Sequence, residues 1–273
     1  MKLLKYINEI TEHEKEIRLK YKDTPYLTEI SFGKDSPFAS NQKTVVTVDF
    51  TTDCPKRRAG NPCFYCYVEY KREMKFNAKT VYDYKAYNNE LKNRKKFTPE
   101  VVKELNDAGG IRLFSFGDYM EENDKDIEAF LNDAAKIDLD VKVITKVPEF
   151  VYKYHDYPAI KVIDISTDML PADKKAGIDH NLAREIKEKY RKVKIRTVVL
   201  TKKDLEDDFM QYVDVITFNH ENLQKKGYHK FTKAEIKAYY EAHPENGVCC
   251  ITGKCATCPI KCGQRNYSGE CLM

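Results

Sequence analysis

Six short apolar runs, most of them rich in valine and isoleucine, spread from 44–50 to 213–220 and separated by helix-forming stretches, dictate what this chain can fold into. The runs are 44–50, 111–118, 141–146, 159–167, 193–200 and 213–220. Between and after them lie helical patterns at 80–96, 98–110, 123–138, from Pro148, and at 181–192, 202–212 and 232–243. The stretch 98–110 carries its own punctuation, with Thr98 as N-cap, Pro99 at the first helical position and a glycine stop. Strands that alternate with helices pair in parallel, because the helix is the crossover. Branched aliphatic runs suit strands buried on both faces. The pattern therefore predicts an α/β fold around a parallel sheet, either doubly wound or closed partly or fully into a barrel. In each arrangement functional groups gather at the C-terminal ends of the strands.

Flanking segments divide the 273 residues into three. Residues 1–42 read as an amphipathic helix (2–20) and an irregular lead-in, 43–243 as the β/α body, and 244–273 as a cysteine-rich tail. No stretch approaches the roughly 18 apolar residues that span a bilayer, and acidic residues from Glu9 onward exclude a signal-peptide pattern. The expected address is the cytoplasm, without a membrane partner. The net charge of +4 is mild, and the basic runs at 56–58 and 92–96 read as solvated helix faces or loop ends. Nucleic acid is neither indicated nor excluded.

Nine cysteines fall into two groups. Cys54, Cys63 and Cys66 occupy the loop after the first strand-like run; the other six lie in the last 25 residues. An odd number cannot pair completely, and clustering in a chain without an export signal points to metal rather than disulfides. The loop offers three thiolates and no histidine, whereas a structural zinc site takes four ligands. Three cysteines on a four-iron cluster would leave one iron open to a small molecule.

The loop resembles that of the radical SAM superfamily, in which three cysteines after the first strand of a parallel β/α barrel hold a [4Fe–4S] cluster that binds S-adenosylmethionine. Tyr65, directly before Cys66, matches the aromatic common there. The spacing here is C-x8-C-x2-C, longer in its first interval than the usual C-x3-C-x2-C. The chain is also similar to small phage- and microbial-type radical SAM-like proteins, through Asn41, Lys43 and Thr44 and through "RLFSFGD". The resemblance spans roughly residues 40–240 and implies a partial (β/α)6 TIM-like barrel. It implies cofactor contacts at Gly117 and Asp118 for the methionyl amino group, at Ser166 and Thr167 for ribose or carboxylate, and at Arg196 for carboxylate. The end of the sixth run, "TFNHEN", falls where adenine packs, and Lys146 falls on the same rim. It further implies one-electron reduction of S-adenosylmethionine to a 5′-deoxyadenosyl radical, with a flavodoxin or ferredoxin as electron donor. Catalytic residues and substrate are left open.

In the tail, Cys255, Cys258 and Cys262 are expected metal ligands, with Cys249 or Cys250 as a fourth and Cys271 competing. Four thiolates suit zinc or a second iron–sulfur cluster, and the resemblance favours the cluster. Two other readings remain at this stage. One is a zinc-stabilised α/β binding module using "PKRRAGNP" on nucleic acid, the other an iron–sulfur protein for electron transfer or sensing. The six histidines show no metal-binding spacing.

Overall fold

The computed structural model describes residues 38–40, 46–51, 53–66, 97, 99–107, 110–114, 117–218, 223, 226–243 and 246–250. The expected helices at 2–20 and 80–96, the lead-in residues Asn41, Lys43 and Thr44, and Cys255, Cys258, Cys262 and Cys271 lie outside them.

Eight strands form one sheet: β1 Phe38–Ser40, β2 Val46–Val48, β3 Ile111–Leu113, β4 Val141–Thr145, β5 Ile160–Asp168, β6 Val193–Val198, β7 Val215–Phe218 and β8 Gly247–Cys250. β1 runs antiparallel to β2, and every later pairing from β2 to β8 is parallel. The spatial order follows the chain order from β1 to β8 without reversal. A doubly wound sheet needs a reversal, so that alternative is excluded. Among the described residues no pairing joins β1 to β8. β1 and β8 were not expected from the sequence.

The helices are α1 Pro55–Arg58, α2 Pro99–Asp107, α3 Asp124–Lys136, α4 Pro148–Tyr154, α5 His180–Lys189 and α6 Lys233–Ala242. Helices α2 to α6 feed a single apolar cluster that also holds Val48, Leu113, Val143, Ile163, Ile165, Ile195, Ile216 and Phe218 from the strands. Right-handed crossovers advancing always in one direction place their helices on one face of a sheet. Strand register and alternation then put Thr47, Arg112, Lys142, Asp164, Ser166, Lys194, Arg196 and Thr217 on the opposite face. That second face is largely polar but also carries Val162, Val198 and Val215, and Thr47, Asp164, Ser166 and Thr217 are buried in it. The strands are therefore not the two-sided apolar runs that their valine and isoleucine content suggested.

Two boundaries differ from the sequence reading for local reasons. The run 111–118 ends as a strand at Leu113, because Phe114 turns into the left-handed region (φ 62°) while its N–H still reaches Val48 O at 3.1 Å. The stretch 202–212 forms two 3-10 segments, Lys203–Glu206 and Asp208–Tyr212. Asp204 accepts from the N–H groups of Leu200 and Thr201, and Asp207 accepts from Phe209 N–H. Carboxylates that bond nearby amides in this way compete with the i→i−4 ladder and break the helix.

Candidate functional site

The three cysteines sit beyond the C-terminal end of β2, on a loop that folds back over the rim. Cys54 is the N-cap of α1, and its Sγ accepts from Arg57 N–H at 3.4 Å. Pro55 at the first helical position fixes the start of that turn. Cys66 N–H reaches Cys63 O at 2.8 Å, closing the C-x-x-C turn. All three thiols are free and partly buried. Arg57, with a side chain only 4% exposed, pairs with Asp53 at 3.5 Å and directs Nη1 toward Cys66 Sγ at 4.0 Å. Lys146 Nζ contacts Cys63 Sγ at 3.6 Å.

Charge around the loop is balanced by contact rather than by solvent. Burial opposes the Lys146 charge, but Tyr65, Cys63, Asp118 and Asp168 together outweigh it and hold the ammonium protonated above its usual range. Burial likewise opposes Arg57, and Cys54, Cys66 and Asp53 outweigh it. Burial pushes the Cys54 thiol up, partly offset by the N–H and charge of Arg57. Arg58 forms a fork to Glu122 at 2.5 and 2.7 Å. In the basic run 56–58, Arg57 pairs with Asp53 and Arg58 with Glu122.

Gly117 and Asp118 act first as rim fasteners. A Cβ at Gly117 would stand 2.2 Å from Thr51 O, so only glycine lets the post-β3 segment lie against the start of the cysteine loop. Its N–H donates to buried Asp49 at 3.0 Å, and Asp118 N–H donates to Asp53 O at 2.9 Å. The Asp118 carboxylate accepts from Thr145 Oγ1 at 2.5 Å, Lys146 N–H at 2.9 Å and Tyr119 N–H at 2.8 Å. Burial pushes its carboxyl up, and those bonds hold it back in part.

At the end of β5 the structure separates two residues that the resemblance grouped. Ser166 is the register partner of Arg196 and lies on the polar face, where Arg196 Nε donates to Thr217 Oγ1 at 3.0 Å. Thr167 belongs to the helix face, fully buried, with Oγ1 donating to Arg196 O at 3.3 Å. It does not join Ser166 and Arg196. The next residue, Asp168, gathers more hydrogen bonds and was not among the residues singled out from the sequence. It is fully buried and accepts from Tyr65 OH at 3.0 Å, Ala176 N–H at 3.0 Å, Gly177 N–H at 2.6 Å and Leu170 N–H at 3.2 Å. The second aspartate of "DISTD" was its one sequence signal.

Tyr65 completes the site. Its ring lies under Lys146 Nζ at 4.7 Å, and burial drives its phenol well above the usual range. Tyr65 also packs with Leu170, Ala176, Val198, Leu200 and Leu223 into an apolar cap on the rim, against which Cys63, Phe64 and Tyr228 rest. A separate cleft of about 560 Å³ lies between the start of α5 and the 3-10 segment Asp208–Tyr212. It includes no cysteine and touches the network only through His180, whose Nε2 bonds Asp168 O at 3.0 Å.

Among the described residues, no group of three or more His, Cys, Asp or Glu is set to hold one metal ion. A polynuclear cluster asks for something different, since it spreads its thiolates over separate metal atoms around a cage. Three free thiols on one loop, two of them touched by cations, are a donor set that fits such a cluster. Cys249 and Cys250, expected as tail ligands, are residues of β8, in register with Thr217 and Phe218. Asn219 and His220 of the sixth-run end lie outside the described residues. No helix among the described residues is long and apolar enough to cross a membrane. Searches of family models, of curated proteins and of solved structures give no match to this chain.

Proposed function

We propose that this chain is a radical SAM-type enzyme built on a partial β/α barrel. The observation that carries the reading is the meeting, at the C-terminal ends of neighbouring parallel strands, of three free thiols with Lys146, Asp118 and Asp168. Cys54, Cys63 and Cys66 would hold a [4Fe–4S] cluster. When bound, the cluster supplies the electron that cleaves S-adenosylmethionine and starts radical chemistry on a further substrate.

The chain's own part is positioning and electrostatics. Arg57 and Lys146 offset thiolate charge at Cys66 and Cys63, while Tyr65 and Asp168 fix the loop against β5. Each Asp118 carboxylate oxygen already accepts a backbone N–H, yet Oδ2 keeps capacity for one more donor, such as the amino group of methionine. Ser166 and Arg196 offer hydroxyl and guanidinium on the polar face of the sheet. The apolar cap around Tyr65 excludes water from this side. The tail cysteines would hold a second cluster or zinc, and a flavodoxin or ferredoxin would deliver electrons.

The test is anaerobic reconstitution with iron and sulfide, followed by reduction, addition of S-adenosylmethionine and mass spectrometry for 5′-deoxyadenosine. Product that vanishes in Cys54→Ala and Cys66→Ala is expected. Absence of iron uptake, or cleavage undiminished by Cys66→Ala, overturns the reading.

A further inference from the structure

Phe64, inside the C-x-x-C turn, gathers two lysines from loops far apart in sequence. Lys226 Nζ lies 4.1 Å and Lys174 Nζ 5.3 Å from its ring centre. Lys174 comes from the loop after β5 and Lys226 from the loop after β7. Tyr228 stands edge-on to the same ring, with centroids 6.3 Å apart and planes at 88°. Both lysines are exposed, and among the described residues neither is paired with a carboxylate.

This is an unbalanced arrangement. Each lysine gains a small attraction to the ring face. Bringing two ammoniums to one ring costs mutual repulsion that separate rings would avoid. Lys189 illustrates the ordinary case, one ammonium on one ring, 5.1 Å from Tyr190. An anion placed near the Phe64 edge would offset that repulsion and gain charge-assisted contact with the lysines. A phosphate group suits it better than a carboxylate, because it carries more charge and more acceptor oxygens. Lysine binds phosphate as a point charge without demanding fork geometry.

We infer that Lys174, Lys226 and the Phe64–Tyr228 wall form an anion subsite for a phosphate group on the molecule that the cysteine loop acts upon. The last clause rests on the function proposed above; the binding of phosphate does not. Because Phe64 lies between Cys63 and Tyr65, a group held there sits at the edge of the reactive loop. The substrate class is thus a phosphorylated small molecule, or one extended by a diphosphate.

The experiment is titration of the full iron-free chain with inorganic phosphate, followed by calorimetry, with acetate as the carboxylate arm. Saturable phosphate binding is expected, weakened about tenfold by Lys174→Ala and by Lys226→Ala and unchanged by Lys189→Ala. Acetate should bind at least severalfold more weakly. No saturable phosphate binding, equal binding in the Lys174→Ala/Lys226→Ala double variant, or acetate binding as tight as phosphate each overturns the inference. Iron uptake by the same preparations is measured separately. Phosphate binding without iron uptake would sink the cluster reading and leave the subsite standing.

Discussion

The phenol of Tyr65 donates to Oδ2 of Asp168 at 3.0 Å, joining the C-x-x-C turn to the end of a strand 103 residues further on. Both partners are buried. This bond, with the apolar cap around Tyr65, ties the cysteine loop to the end of β5. Removing only the hydroxyl, in Tyr65→Phe, should cost about 2 kcal/mol, the value of a bond to a charged acceptor. Asp168→Asn should cost more, about 3 kcal/mol or above, because an amide NH2 would then face donors from Leu170, Ala176, Gly177 and Tyr65. Denaturant midpoints at constant m-value check the order. Equal cost for the two variants would show that Asp168 is held by solvent rather than by these donors.

Gly117→Ala tests the close approach of the two rim segments. The new Cβ would meet the backbone carbonyl of Thr51, which cannot rotate aside. A loss of about 3 kcal/mol, at the upper end of overpacking, is expected, and, under the cluster proposed above, lower iron uptake by the displaced cysteine loop. Gly227→Ala is the control. Its φ is +83° but nothing lies within 4 Å, so only backbone strain of about 1 kcal/mol is incurred.

Lys146→Met keeps most of the unbranched stem and removes the cation shared by Cys63, Asp118 and Asp168. Breaking an enclosed ionic cluster from one side should destabilise the fold by about 3 kcal/mol, read by urea unfolding. Lys146→Arg should recover part of this. In reconstituted protein the loss of a positive charge at Cys63 Sγ should make the proposed cluster harder to reduce, giving a more negative midpoint in a spectroscopic redox titration. A midpoint unchanged by Lys146→Met would mean that its contact with sulfur has no electrostatic consequence.

His180 gives the fold an acid-sensitive point. It stacks on Phe209 with centroids 3.8 Å apart and planes at 2°. Burial lowers its pKa from the ordinary 6.5, more than the bond to Asp168 O restores it. The folded state therefore binds the proton less readily than the unfolded chain. Its contribution is complete above about pH 6.5 and is lost as pH falls toward the folded-state value. Melting temperature measured between pH 8 and 5 should decline over the lower half of that range. His180→Gln should remove that decline at the expense of the stacking. An identical pH profile in the variant would rule His180 out as its source.

Local chemistry made the β/α alternation, the apolar helix-facing residues and the position of the cysteine loop at a strand end readable from residue order. Periodicity, β-branching and turn residues act over a few positions, and strands such as Val141–Thr145 and Val193–Val198 express them directly. The same rules failed at 202–212, where Asp204 and Asp207 bond nearby amides and end the helix that the pattern promised. The family resemblance, not these rules, grouped Thr167 with Ser166, although adjacent strand residues face opposite ways.

Residue order by itself determined that strands would alternate with helices and that three thiols would share one loop. Only the tertiary structure decided what those thiols meet. Sequential strand order sets β5 within reach of the loop after β2, so that Asp168 finds Tyr65 and Lys146 finds Cys63. The physical reason is range. Propensity and capping are settled among near neighbours, whereas burial of charge is settled by whichever groups the sheet brings together, here residues 83 and 103 positions apart.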